Sequence, residues 1–123
     1  MENLLKPLSP YVHWGMRLSV TATYLWHGYH NLPPGGFERR FGMPGGYAMA
    51  ILEMASGVAL LAGGFTKPIV TRLGAAGVLF FMVGAIVLVH GPMGWDSCTG
   101  GAEFQVLLFM VGLYFFVKGN DDA

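Results

Sequence analysis

Four long apolar stretches divide the chain, at about 11–32, 45–65, 69–90 and 102–118, with short segments rich in glycine, proline and charge between them. Each is close to the ~20 residues that a helix rising ~1.5 Å per residue needs to cross a ~30 Å hydrocarbon core. The pattern predicts an all-α membrane protein, a bundle of four transmembrane helices in which residues 1–123 form a single domain.

The stretches differ in quality. Leu73 to Val89 carries no charge, whereas the first stretch holds His13, Arg17, Thr21, Thr23 and His27 and is the least apolar. The last is short, and its bounding Glu103 and Lys118 belong at the interface or snorkel toward it. The turn Gly63-Gly64-Phe65-Thr66-Lys67-Pro68 reads as a tight helical hairpin, with glycines ending one helix and proline opening the next. The two opposite loops, around Gly35 and Asp96, are rich in glycine, proline and aromatic residues, which make turns and suit a membrane interface.

Charge sets the expected orientation. Lys6, Lys67, Arg72 and Lys118 fall on one side of the four spans and Arg39 and Arg40 on the other, so the positive-inside rule places both termini in the cytoplasm of a bacterial-type cytoplasmic (inner) membrane. Composition agrees with a lipid setting: 54% of residues are apolar and 11% charged, where a soluble domain has about a quarter charged. Net charge is zero with no basic run beyond Arg39 and Arg40, which excludes a nucleic-acid binder. One cysteine, Cys98, excludes an intrachain disulfide framework. It leaves open a reactive or intermolecular thiol, though no base adjoins it and Asp96 disfavours a thiolate.

Against this background the charges inside the apolar runs stand out. An unpaired charge in lipid costs roughly 2.5–3.5 kcal/mol, so such residues normally pair, face the bundle interior and serve a function. Converted to depth, His27, Glu53, His90 and Glu103 gather in the outer leaflet, one from each helix, and Arg17 reaches up from below. Arg17 and Glu53 are expected to form an ion pair. Glu53, Gly57, Leu60 and Gly64 share one helical stripe with Ser56 beside it, where small residues allow close helix contact around the acid. On the third helix Gly74, Gly77 and Gly84 form a face expected to pack a neighbour, and His90 projects from nearly the opposite side.

A family resemblance becomes visible at these residues. An arginine early in the first helix, His27-Gly28, Phe41-Gly42-Met43-Pro44-Gly45, Glu53 with Gly57 and Leu60-Leu61, His90-Gly91-Pro92 and Gly100-Gly101-Ala102-Glu103 together resemble the DoxX family of small four-helix membrane proteins. Asn31 and Ala102 depart from the family pattern, which often has a lysine and an aromatic residue there. The family includes a membrane subunit of a thiosulfate:quinone oxidoreductase and a membrane partner of redox enzymes, so the resemblance implies a membrane subunit of a quinone-linked redox system.

On that reading Arg17, Glu53 and His27 carry the chemistry, and Arg17, Glu53, His90, Glu103 and Trp26 contact the ligand, with quinone or a related small molecule as cofactor. Arg17 stabilises negative charge on the bound oxygen, Glu53 balances it and relays a proton, and the histidines and Glu103 connect to the surface. The plainer reading makes the same charges a buried network that fixes helix register, and Glu103 a first-turn acid favoured by the helix dipole. His27 and His90 lack a His-x-x-His or Glu-x-x-His partner, so no metal site is expected. Trp26 reads first as an interface anchor and second as a wall of the ring pocket. The alternative function is a non-catalytic accessory or assembly subunit whose partners, besides the lipid bilayer, are other membrane subunits or copies of itself.

Overall fold

Proline and glycine set where the helices begin and break. The computed structural model describes residues 1–121, whose four long helices are α1 (Ser9–His30), α2 (Glu38–Gly63), α3 (Pro68–Ala85) and α4 (Glu103–Lys118); no strand occurs among the described residues. Pro10 and Pro68 lie in the first turns of α1 and α3, where a missing N–H costs no helical bond. Two single-turn pieces, Glu2–Leu5 and Lys6–Leu8, lead into α1.

α2 starts earlier than the apolar pattern predicts. Its first turn, from Glu38, is set off by Gly42, whose φ of 75° breaks the helix and is open to glycine without strain, and Pro44 follows just after the break. α3 continues through a π-helical turn, Ile86–His90, and a 3₁₀ turn, Gly91–Met93.

Two of the four expected spans, Glu38–Gly63 and Pro68–Met93, are long and apolar enough to cross a membrane. α1 falls outside that class because of its polar residues, and α4 because it has 16 residues. About a third of each apolar span faces the protein interior; the rest turns outward.

Each long helix packs on the next in the chain. Small residues let the backbones approach: a side chain at Gly57 would press on Tyr24 and Thr21 of α1, one at Gly74 on the Leu60 backbone, and one at Gly112 on Val78. Gly74 and Gly77 therefore pack α3 against α2, the neighbour expected for that face. Val20, Tyr24, Leu60, Val78, Phe81, Leu108 and Phe115 form the apolar core.

The lower end of the bundle, which holds the α2–α3 turn, is organised by Arg17. Its side chain is 1% exposed. Nε donates to His13 Nδ1 (3.0 Å), Nη1 to Thr71 Oγ1 (2.9 Å) and to the Leu60 carbonyl, and Nη2 to Asn120 Oδ1 (3.0 Å). Its guanidinium carbon lies 4.7 Å from the centre of the Phe115 ring. Asn120, just beyond α4, also donates to the Gly63 carbonyl (2.9 Å). One cation thus joins α1, α2, α3 and the end of α4. Beside it, Arg72 of α3 donates to the Phe116 and Val117 carbonyls, satisfying the last turn of α4.

Replacing Arg17 by Met strands these buried acceptors, so stability should fall by about 3 kcal/mol, at the scale of hydrogen bonds to a charged group. Lysine should rescue little, because one ammonium cannot reproduce the planar fork. Thermal unfolding in detergent checks both substitutions, and a melting temperature equal to the parent would contradict the clamp.

Candidate functional site

The upper end of the bundle is built in the opposite way. Where the lower end closes around one cation, the upper halves of the helices leave a cleft of about 1390 Å³. α1 contributes Tyr24 and His27, the following loop Asn31 and Phe37, the first turn of α2 Arg39 and Arg40, the body of α2 Glu53, the end of α3 Gly84 and His90, and α4 Gln105. The volume exceeds the 300–1,000 Å³ of most small-molecule pockets because the cleft reaches the surface, where His27, Arg39 and Arg40 are exposed.

Glu53 brings a carboxyl to the wall of this cleft and is only 5% exposed. Its hydrogen-bond partner among the described residues is Asn31 Nδ2 at 3.4 Å, beyond the usual 2.7–3.2 Å range. A second group is less satisfied: Gln105 Oε1 is buried with no hydrogen-bond partner among the described residues. Buried polar atoms are nearly always paired, and an orphan facing a cleft is where a ligand or water would bond. By contrast Tyr24, also on the wall, is fully used, since its hydroxyl donates to the Val78 carbonyl at 2.9 Å and its ring meets Phe81 edge-on.

The loops hold the rim in shape. Asn31 accepts from Phe37 N across the Pro33-Pro34 segment, and Glu38 accepts from Gly35 N at 2.9 Å. On the other side Ala102 N and Glu103 N donate to the Gly94 and Trp95 carbonyls. His90 Nδ1 lies 2.7 Å from the Gly100 carbonyl, so that nitrogen is the protonated one when the ring is neutral.

Of the residues singled out in the sequence, the structure brings His27, Glu53 and His90 together in one cleft. His90 gets there because the π-helical turn Ile86–His90 advances less per residue than an α-helix and swings the side chain off the face that α-helical spacing assigns it.

The expected ion pair between Arg17 and Glu53 does not form. Arg17 bonds to the lower-end groups instead, since the Leu60 carbonyl, Thr71 and Asn120 lie within reach at its own depth and a climb toward Glu53 would abandon all three. Glu103 is exposed and accepts from Ser97 Oγ at 2.8 Å, which ties it to the loop. Trp26 is 65% exposed and stacks on His30 at 4.3 Å, on the outer surface of α1. Arg17, Glu103 and Trp26 are absent from the lining of the cleft.

The sequence reading missed Arg39, Arg40 and Gln105. The two arginines stand in a loop-like run whose helical turn depends on the break at Gly42, and Gln105 is a neutral polar residue in the first turn of an apolar helix, a weaker signal than the charge of Glu53. Among the described residues no group of three or more His, Cys, Asp or Glu side chains is arranged to hold a metal.

The DoxX family model matches residues 14–91 of the chain. No curated protein and no solved structure matches the chain.

Two glycines of α3 test whether the cleft is a true void. Nothing lies near a side chain added at Gly84, while one at Gly77 would strike Ser56. Gly84→Phe should therefore keep the parent melting temperature to within about 0.5 kcal/mol of stability, and Gly77→Phe should lose ~1–3 kcal/mol or more by overpacking. Equal losses in the two variants would mean the cleft is filled in solution.

Proposed function

The chain belongs to the DoxX family, and from that premise we propose that it is a multi-pass membrane protein of a redox system that binds quinone or a related ring compound in the upper cleft. One observation carries the reading: Glu53, 95% removed from solvent, faces a cleft it shares with His27 and His90 and is held there by one long hydrogen bond. A carboxyl so placed is costly to bury and gains most from a bound partner.

The residues fit such a ring. Gln105 Oε1 accepts a hydrogen bond from a ring hydroxyl, the Glu53 carboxyl accepts or donates a proton at the same end, and His27, exposed at the rim, passes that proton to water. Arg39 and Arg40 provide the positive rim, replacing the part first given to Arg17. When bound, a quinone supplies a redox couple that takes up two electrons and two protons. Apolar walls from Phe81, Leu88 and Phe104 keep water from the ring.

All four long helices cross the cytoplasmic membrane in this reading, with both termini in the cytoplasm and the cleft near the outer leaflet. The outward-facing apolar surface of α2 and α3 supports it, since the core helix of a soluble protein would be mostly buried. Lipid is then the main neighbour. The accessory-subunit reading draws less support, because Gly74 and Gly77 of the α3 glycine face pack on α2 and only Gly84 of that face stands open.

Glu53→Gln should weaken binding of decylubiquinone to the purified protein by about tenfold or more, ~1.4 kcal/mol, with unfolding unchanged. Equal affinity would remove the acid from the site. Orientation has its own check: Cys98, the single cysteine, is exposed on the upper loop and should react with a membrane-impermeant maleimide in intact spheroplasts. Labelling only after lysis would invert the topology.

A further inference from the structure

α1 and α4 stand apart over much of their length, and a groove of about 450 Å³ runs between them, walled by Val12, Gly15, Met16 and Val20 on one side and Leu107 and Val111 on the other. Thr23, Phe104 and Leu108 line both this groove and the polar cleft, so the two join at the upper end of the seam. We infer that cleft and groove are one site for one amphiphile, a ring compound whose head lies by Glu53 and Gln105 and whose apolar tail lies between α1 and α4. The inference rests on the ring-binding reading above and adds the tail, the entry route and the residues that select for it.

Three observations point to a tail and not to an empty seam. Gln105, on the cleft side of the junction and next in the chain to Phe104, holds a buried oxygen without a partner among the described residues, so a polar head is wanted beside the upper end of the groove. Gly15 has open space beside it, whereas Gly57, Gly74 and Gly112 are pressed against neighbouring helices; the room at Gly15 is used by no helix of this fold. Ser19, the hydroxyl in mid-groove, donates to the Gly15 carbonyl at 2.7 Å and so presents no spare donor to a tail, while Thr23, the other hydroxyl of the lining, lies at the upper end where the groove meets the polar cleft. From Val12 to Thr23 the groove runs ~16 Å along α1, long enough for a decyl chain. Its open side lets a lipid-soluble molecule enter sideways from the bilayer, tail first or head first, without crossing the loops.

The test compares decylubiquinone with its tail-free ring analogue, dimethoxy-methyl-benzoquinone, on the full chain in detergent. The parent protein should bind the decyl compound more tightly. Gly15→Phe and Ser19→Leu each fill the groove, and each should cut the affinity ratio of the two ligands about tenfold while the tail-free ring binds as before. Partitioning into micelles is common to parent and variant and cancels in that comparison. Two variants at different positions, both on an exposed helix face, guard against one failing to fold.

A ratio unchanged in both variants, with decylubiquinone still bound, overturns the groove and leaves the ring site standing. An unchanged ratio together with a drop in oligomeric mass overturns it in favour of a helix-docking face for a second copy of this chain. Failure of the parent to bind either compound overturns the ring site itself, and the groove with it.

Discussion

The four long helices are tied together at one end by a buried guanidinium. Arg17 lies at the lower end, 1% exposed, and is made tolerable by a carbonyl from α2, a hydroxyl from α3, an imidazole from its own helix, an amide two residues past α4 and the face of Phe115. No carboxylate is among these partners. A buried cation surrounded by neutral acceptors holds only if the acceptors stay together, so the four helix ends are pinned relative to one another.

That constraint explains the asymmetry between the two ends. Close helix approach through Gly57, Gly74 and Gly112 continues the tight packing upward from the clamp. Above Glu53 the walls become Phe81, Leu88 and Phe104, and the helices separate around a cleft. The π-helical turn at the end of α3 belongs to the same change, because it brings His90 round to the cleft where an uninterrupted α-helix would aim it elsewhere. The lower end thus supplies rigidity and the upper end supplies space. Glu53 sits at the boundary between them, buried by the first and facing the second.

Much of this was legible in the chain. Apolar stretches gave four helices, and depth along them gathered His27, Glu53, His90 and Glu103 toward one end of the bundle, where the first three line the cleft and Glu103 does not. The small-residue stripe beside Glu53 correctly marked a close helix contact, seen at Gly57 against Tyr24. What failed was the partner of Arg17. Two opposite charges in apolar runs invite pairing, but the choice was decided by Thr71 and Asn120, polar residues at helix ends that look unremarkable until the ends meet. The break at Gly42 and the π turn were also out of reach, since both alter direction without altering the apolar pattern. Because of them the basic rim at Arg39 and Arg40 and the aim of His90 could be known only from the fold.

The central claim is that the Glu53 carboxyl meets a bound ring directly. Infrared difference spectroscopy of the purified protein, recorded as decylubiquinone is added, reads that group alone. The account predicts a perturbed carboxyl band in the parent protein that disappears in Glu53→Gln. A ligand-induced spectrum with no carboxyl change, or one identical in the variant, would contradict it.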